Sequence, residues 1–191
     1  MEKKTIILAS GSPRRKELLK MAGLKFTTLA SEIPEYVPDS VPPEKRSGFL
    51  AELKASAMSV FHPQNIIIGA DTTVLCEGRI LGKPKTAQEA KEMLRFLSGK
   101  VHSVLTGVSI IYSDEEDAET FISETKVEFY PLSEEEIEAY VATGEPMDKA
   151  GAYGIQGKGC CLVKRIEGDY FTVVGLPVAE VMRRLKAHGD I

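Results

Sequence analysis

Short apolar runs alternate along this chain with stretches whose hydrophobic residues recur at helical spacing, a pattern that predicts strands and helices in turn. Lys4–Ala9 reads as a short buried strand and Glu17–Ala22 as the body of an amphipathic helix, followed by a second strand at Phe26–Ala30. A Pro-punctuated loop runs from Glu32 to Pro43. A helix follows from about Pro43 to Phe61, with Leu50, Leu53, Ala57 and Val60 expected on one face. Ile66–Ala70 is continuously apolar, as in a strand covered on both faces, and continues through Thr72–Cys76 to a turn at Glu77-Gly78. Ile80 and Leu81 suggest a short return strand.

Helix signals mark the second half. Thr86 with Glu89 and Ser133 with Glu136 each read as a capping box, opening helices to Leu97 and to about Thr143. Between them, Lys100–Tyr112 and Ala118–Tyr130 read as long strands joined by the acidic turn 113–117, taken as a solvated loop tip. A Gly-rich stretch spans Gly151–Gly159. Strands are then expected at Cys160–Ile166 and, after Glu167-Gly168-Asp169, through Val174, with a last helix from Pro177 to His188. No repeat or linker interrupts the 191 residues. The expectation is one α/β domain over 1–191, with a long bent mixed sheet flanked by helices and two lobes around a central cleft.

The first irregularity in this pattern is Ser10-Gly11-Ser12-Pro13-Arg14-Arg15, set between the first strand and the first helix. Ser12 suits the N-cap and Pro13 the first helical position. A helix N-terminus favours Asp or Glu, yet the next two residues are arginines. Two guanidinium groups beside free backbone N–H groups suit a multiply charged anion such as phosphate. A solvated arginine pair on an exposed turn is the alternative.

Composition narrows the partners. Hydrophobic residues at 43% and charged residues at 27% describe an ordinary globular protein. The net charge of −4 and pI near 5.5 argue against bulk nucleic-acid binding. The N-terminal apolar run is too short for a signal peptide, and no run reaches transmembrane length, so a cytoplasmic protein without a membrane partner is expected. The 3 cysteines, Cys76 and the adjacent Cys160-Cys161, give neither a disulfide framework nor a zinc spacing and read as small buried thiols. The histidines His62, His102 and His188 do not cluster.

Asp71 ends the most buried strand, where α/β folds deliver functional groups. Lys83 is held between Gly82 and Pro84. Lys54 lies on the second helix with an ambiguous face, where a snorkelling surface lysine is the alternative. Glu32 and Glu35, in the loop after the second strand, could bring a carboxylate near Asp71 to hold Mg²⁺. In the segment 148–159, four glycines interleave with Tyr153 and Gln156, which suits close backbone approach to a ligand. A strand rather than a helix is expected after it, which excludes a dinucleotide fingerprint. Gly78–Lys83 lacks the spacing of a P-loop.

Taken together, Leu8–Arg15 with Glu17-Leu18-Leu19, Gly69-Ala70-Asp71-Thr72, Gly82-Lys83-Pro84, Leu97-Ser98-Gly99 and Gly144-Glu145-Pro146 through Gln156-Gly157 resemble the Maf family of nucleoside triphosphate pyrophosphatases, also described as septum-formation inhibitors. The resemblance spans nearly the whole chain in the family's order. It implies a Maf/inosine triphosphatase-like fold and a metal-dependent hydrolase that splits a nucleoside triphosphate between the α- and β-phosphates. By the same resemblance Asp71 matches the general base. Ser10, Arg14, Arg15, Lys54 and Lys83 match residues around the triphosphate, and Glu35 with Asp71 the metal site. Mg²⁺ is the expected ion, with Mn²⁺ or Co²⁺ as substitutes. Arg14, Thr72 and Gln156 match the branch that resembles dTTP and UTP pyrophosphatases rather than the branch acting on 7-methyl-GTP. A Gln amide offers the donor and acceptor that the O4/N3–H edge of a uracil or thymine needs. A homodimer is implied by resemblance alone. The competing reading is a nucleotide-binding regulator of cell division that acts through a protein partner.

Overall fold

The computed structural model describes residues 5–30, 33–112 and 118–191. The acidic turn 113–117 and Glu32 lie outside the described residues. Strand β1 (Ile6–Ala9) is buried at every position and pairs in parallel with β2 (Phe26–Thr28) on one side and β3 (Ile66–Cys76) on the other, Ile6 standing opposite both Phe26 and Ile66. This accounts for its continuous apolar run: a strand covered on both faces has no polar side to display. Strands β5 (Val101–Ile111), β6 (Glu119–Phe129) and β7 (Val163–Glu167) extend the sheet in the order β2-β1-β3-β5-β6-β7, with β4 (Arg79–Leu81) antiparallel on β3. The sheet is mixed, as β6 and β7 are also antiparallel. Among the described residues, no helix is long and apolar enough to cross a membrane.

The chain forms two compact units. The first comprises residues 1–71, 106–123 and 175–191, and the second 72–105 and 124–174, so β3 passes from one to the other between Asp71 and Thr72. In the first unit, Ile7, Ala9, Ala55 and Ile67 form a buried cluster with Leu29, Met58 and Ile111 against it. In the second, Val74, Leu81, Leu94, Leu97, Phe129 and Ile137 are among the residues of a larger cluster beneath α3 (Ala87–Leu97) and α4 (Glu134–Ala142).

Helix α2 (Arg46–Ser59) differs from its expected facing. The face with Leu50, Leu53, Ala57 and Val60 is not the buried one: Val60 is 75% exposed, and the buried positions are Ser47, Gly48, Leu50, Ala51 and Ala55. The cause is close approach. A Cβ on Gly69 would stand 2.2 Å from the Ala51 carbonyl oxygen, and one on Gly107 would stand 2.3 Å from the Gly48 nitrogen. Helix and strands meet nearly backbone to backbone, so small residues face the sheet.

Three more expectations change. The second strand ends at Thr28, short of Ala30. The segment Gly157–Leu162 forms a 3₁₀ turn, and β7 begins only at Val163. Residues Tyr170–Val174, expected as a strand after the turn Glu167-Gly168-Asp169, form the short helix α5. Asp169 explains it: its Oδ2 accepts from the Thr172 N–H at 2.8 Å and the Thr172 hydroxyl at 2.9 Å, a local cap that outweighs strand propensity. Of the two capping boxes, Ser133/Glu136 is complete. At Thr86 only half forms, because the Glu89 carboxylate accepts from Lys85 N–H instead.

Candidate active site

Ser10–Arg15, expected from sequence as a candidate anion site, spans the turn between β1 and α1 (Pro13–Met21) and the start of that helix. Ser12 occupies the N-cap with extended backbone. Its side chain makes no capping bond among the described residues, and the first turn carries no acidic residue. The N-terminal N–H groups and the helix dipole are therefore directed at whatever anion approaches. Ser10 is buried, and its Oγ accepts from the Ser12 N–H at 3.2 Å and from Arg15 Nη1 at 3.1 Å. Arg15 Nε donates to the Gly175 carbonyl at 2.8 Å. Ser10 thus holds the turn and the guanidinium in one arrangement. Burial lowers the Arg15 guanidinium from its ordinary pKa, while the Asp71 charge opposes that shift; the group stays cationic at neutral pH.

Lys54 resolves its ambiguity. Its Nζ stands 2.7 Å from Asp71 Oδ1 and 2.8 Å from Glu35 Oε1, and its side chain is 11% exposed. It is therefore a bridge between two carboxylates and not a snorkelling surface residue. Asp71 lies within β3 and not at its end, because the strand runs on to pair with β4 through Val74–Cys76; it is largely buried, whereas Glu35 is open to solvent. Arg14 and Glu35 both lie near enough to Arg15 to act on it electrostatically. The first unit consequently gathers Ser10, Arg14, Arg15, Glu35, Lys54 and Asp71 into one constellation of cations and carboxylates.

Thr72, Lys83 and Gln156 belong to the second unit. Lys83 is exposed, but its backbone is held: Pro84 is buried, and the Gly82 carbonyl accepts from Gly151 N–H at 3.0 Å. Gln156 is exposed between two fixed points. On one side Gly154 N–H donates to Tyr140 Oη at 3.1 Å; on the other, Lys158 N–H donates to the Glu145 carboxylate at 3.1 and 3.2 Å. Gly159 lets the segment fold back, since a Cβ there would sit 2.1 Å from the Gly154 carbonyl oxygen. Burial pushes the Tyr140 hydroxyl up to about 12, so it remains a neutral phenol able to accept this bond. The sequence offered no sign of Tyr140 as a partner, and none of the Gly175 carbonyl that seats Arg15 from 160 residues away. Glu145 was visible only as part of a motif, without its role.

Two thiols depart from expectation. Cys76 is buried, but Cys160 and Cys161 are exposed, because the 3₁₀ turn carries them on the outside instead of placing them in a covered strand.

A family model described as Maf-like protein matches residues 5–188. The chain is 54% identical over 186 residues to the dTTP/UTP pyrophosphatase of Geobacillus sp. (strain WCH70), covering 97% of this chain and 99% of that one. It is 53% identical over 183 residues to the dTTP/UTP pyrophosphatase of Bacillus cytotoxicus, covering 96% and 95%. Among solved structures, that of a HAM1 protein from Coxiella burnetii matches with a TM-score of 0.51 at 13% identity, covering 96% of this chain and 99% of that one, a likeness of fold.

Proposed function

The chain belongs to the Maf family, and on that premise we propose that it is a pyrophosphatase of dTTP and UTP, releasing the nucleoside monophosphate and pyrophosphate with Asp71 as general base. The observation that carries this reading is the Lys54 bridge: a largely buried carboxylate on β3, held by a lysine, beside an arginine-lined helix N-terminus. That arrangement supplies a base and an anion cradle in one place, which hydrolysis of a phosphoanhydride requires.

Each residue then has a part. Arg14, Arg15 and the N–H groups of α1 receive the triphosphate, and the resemblance gives Lys83 a phosphate-binding role. Ser10 keeps Arg15 aimed. Lys54 fixes the rotation of the Asp71 carboxylate, which accepts the proton of the attacking water. Charge developing on the departing pyrophosphate is met by cations already in position, so little reorganisation is needed during the reaction. The resemblance gives base selection to Gln156 with Arg14 and Thr72, and the held backbone on both sides of Gln156 supports such a role.

A divalent cation fits the residues present. Glu35 and Asp71 already converge on one positive charge, the Lys54 ammonium, and Mg²⁺ asks for only one or two carboxylates when phosphates complete its shell. No group of three or more candidate metal ligands occurs among the described residues, in keeping with a cation shared with its substrate. Mg²⁺, or Mn²⁺ or Co²⁺ in its place, supplies charge neutralisation and a more acidic water when bound. We place the enzyme in the cytoplasm as a homodimer that clears nucleotides before polymerases use them. The regulatory reading, a nucleotide binder acting on cell division through a partner, is less favoured because the relatives are named as enzymes.

The deciding experiment follows pyrophosphate and orthophosphate separately while the protein and Mg²⁺ are given dTTP, UTP, CTP, GTP or 7-methyl-GTP. Pyrophosphate from dTTP and UTP is the expected result. Release from 7-methyl-GTP alone would overturn the base assignment, and silence across the panel with several metals would favour the regulator.

A further inference from the structure

The adjacent pair Cys160-Cys161 has no part in the chemistry above. Both thiols are exposed, and their sulfurs stand 4.0 Å apart on the turn Gly157–Leu162. We propose that this pair is a capture site for trivalent arsenicals, which it chelates through both sulfurs.

Three features select this ligand class over others that thiols take. Zinc in a structural site wants four ligands, and no group of three or more candidate ligands occurs among the described residues. Trivalent arsenic is soft, and two thiols satisfy it when an organic group or hydroxyl fills its third position. Direct oxidation to a disulfide is poorly matched by geometry. Neighbouring Cα atoms stand about 3.8 Å apart, below the separation of about 4.4 Å or more that unstrained disulfides use. An arsenic atom between the sulfurs enlarges the ring by one member and relieves that constraint. The state of the thiols points the same way. The contact with Cys161, followed by its charge, raises the Cys160 thiol above its ordinary value, which disfavours the thiolate that peroxide sensing needs. Arsenicals condense with neutral thiols.

The reaction balances without an oxidant. With phenylarsine oxide, the As=O oxygen leaves as one water that carries off both S–H protons. Two As–S bonds form, and arsenic stays trivalent throughout.

The test uses the reduced full chain with phenylarsine oxide, read by intact mass and by titration of free thiols. One arsenical per chain is expected, with the loss of two reactive thiols. The adduct should withstand an excess of glutathione, a monothiol, and be stripped by dithiothreitol, a dithiol. Cys160→Ser and Cys161→Ser should each abolish this resistant adduct, and as exposed substitutions they leave the fold intact. Persistence of the adduct in either variant, or its removal from the parent protein by glutathione, would overturn the proposal. Buried Cys76 is the internal control: an adduct that consumes it, seen as the loss of a third thiol, would do the same.

Discussion

Lys54 Nζ donates to Asp71 Oδ1 at 2.7 Å and at the same time reaches Glu35, so one ammonium holds the proposed base and the proposed metal carboxylate together. Asp71→Asn keeps the shape and removes the proton acceptor. Turnover should fall by about 10²-fold or more, the range supplied by general base catalysis, while nucleotide binding measured by calorimetry persists. Unchanged turnover would remove Asp71 from the mechanism. Lys54→Met should lower kcat as well, because the carboxylate loses the contact that fixes it.

The base recognition proposed for Gln156 should respond to the two residues that hold the backbone on either side of it. Tyr140→Phe leaves Gly154 N–H without its acceptor, and Glu145→Ala does the same for Lys158 N–H. Each frees one side of Gln156. Steady-state kinetics with UTP and CTP should show KM for UTP rising several-fold, a narrower preference for UTP and a nearly constant kcat. An equal fall in kcat for both nucleotides would mean that the segment serves the chemical step instead.

Stability should weaken in mild acid. His102 is buried against Phe129 and Tyr153, its Nε2 is 2.7 Å from Tyr153 Oη, and its Nδ1 has no partner among the described residues. Burial pushes its pKa down to about 4 from an ordinary value of 6.5. Above 6.5 the imidazole is neutral whether the chain is folded or not, and its full contribution is present. As pH falls from 6.5 towards 4, the unfolded chain takes up a proton that the folded one refuses, costing on the order of a few kcal/mol in all. Urea unfolding across this window should show the decline, and His102→Phe should flatten it.

Gly69→Ala and Gly107→Ala should each destabilise the protein by at least about 2 kcal/mol, since the new methyl meets backbone instead of yielding side chains. Gly82→Ala, where the added carbon meets no atom within 4 Å among the described residues beyond its chain neighbours, should be close to neutral in thermal unfolding.

These glycines also mark where sequence reading stops. The strands β1 and β3 and the helices α3 and α4 were legible because apolar runs and capping residues act locally. The strand expected to end at Asp71 runs on to Cys76, since its polar Asp71-Thr72-Thr73 step does not stop the ladder, whereas the Arg14-Arg15 anomaly was legible because it breaks a local rule. The buried face of α2 was not, since hydrophobic size misleads where two backbones come close. Nor was the partner of Lys54, whose side chain could have pointed either way until the helix was set on the sheet. Helix α5 was misread because one Asp at its start outweighed five residues that favour a strand. Cys160 and Cys161 were placed in a strand that begins only at Val163.

Gly69 has one more effect. It lies on the same face of β3 as Asp71, two residues before it, and a Cβ there would be 2.9 Å from the nitrogen of Ala55, the residue after Lys54. Its bare α-carbon is therefore a spacer that sets how far the lysine stands from its carboxylate. A position that looks purely architectural gauges the proposed reacting centre, and a bulkier residue there should detune the enzyme even in chains that still fold.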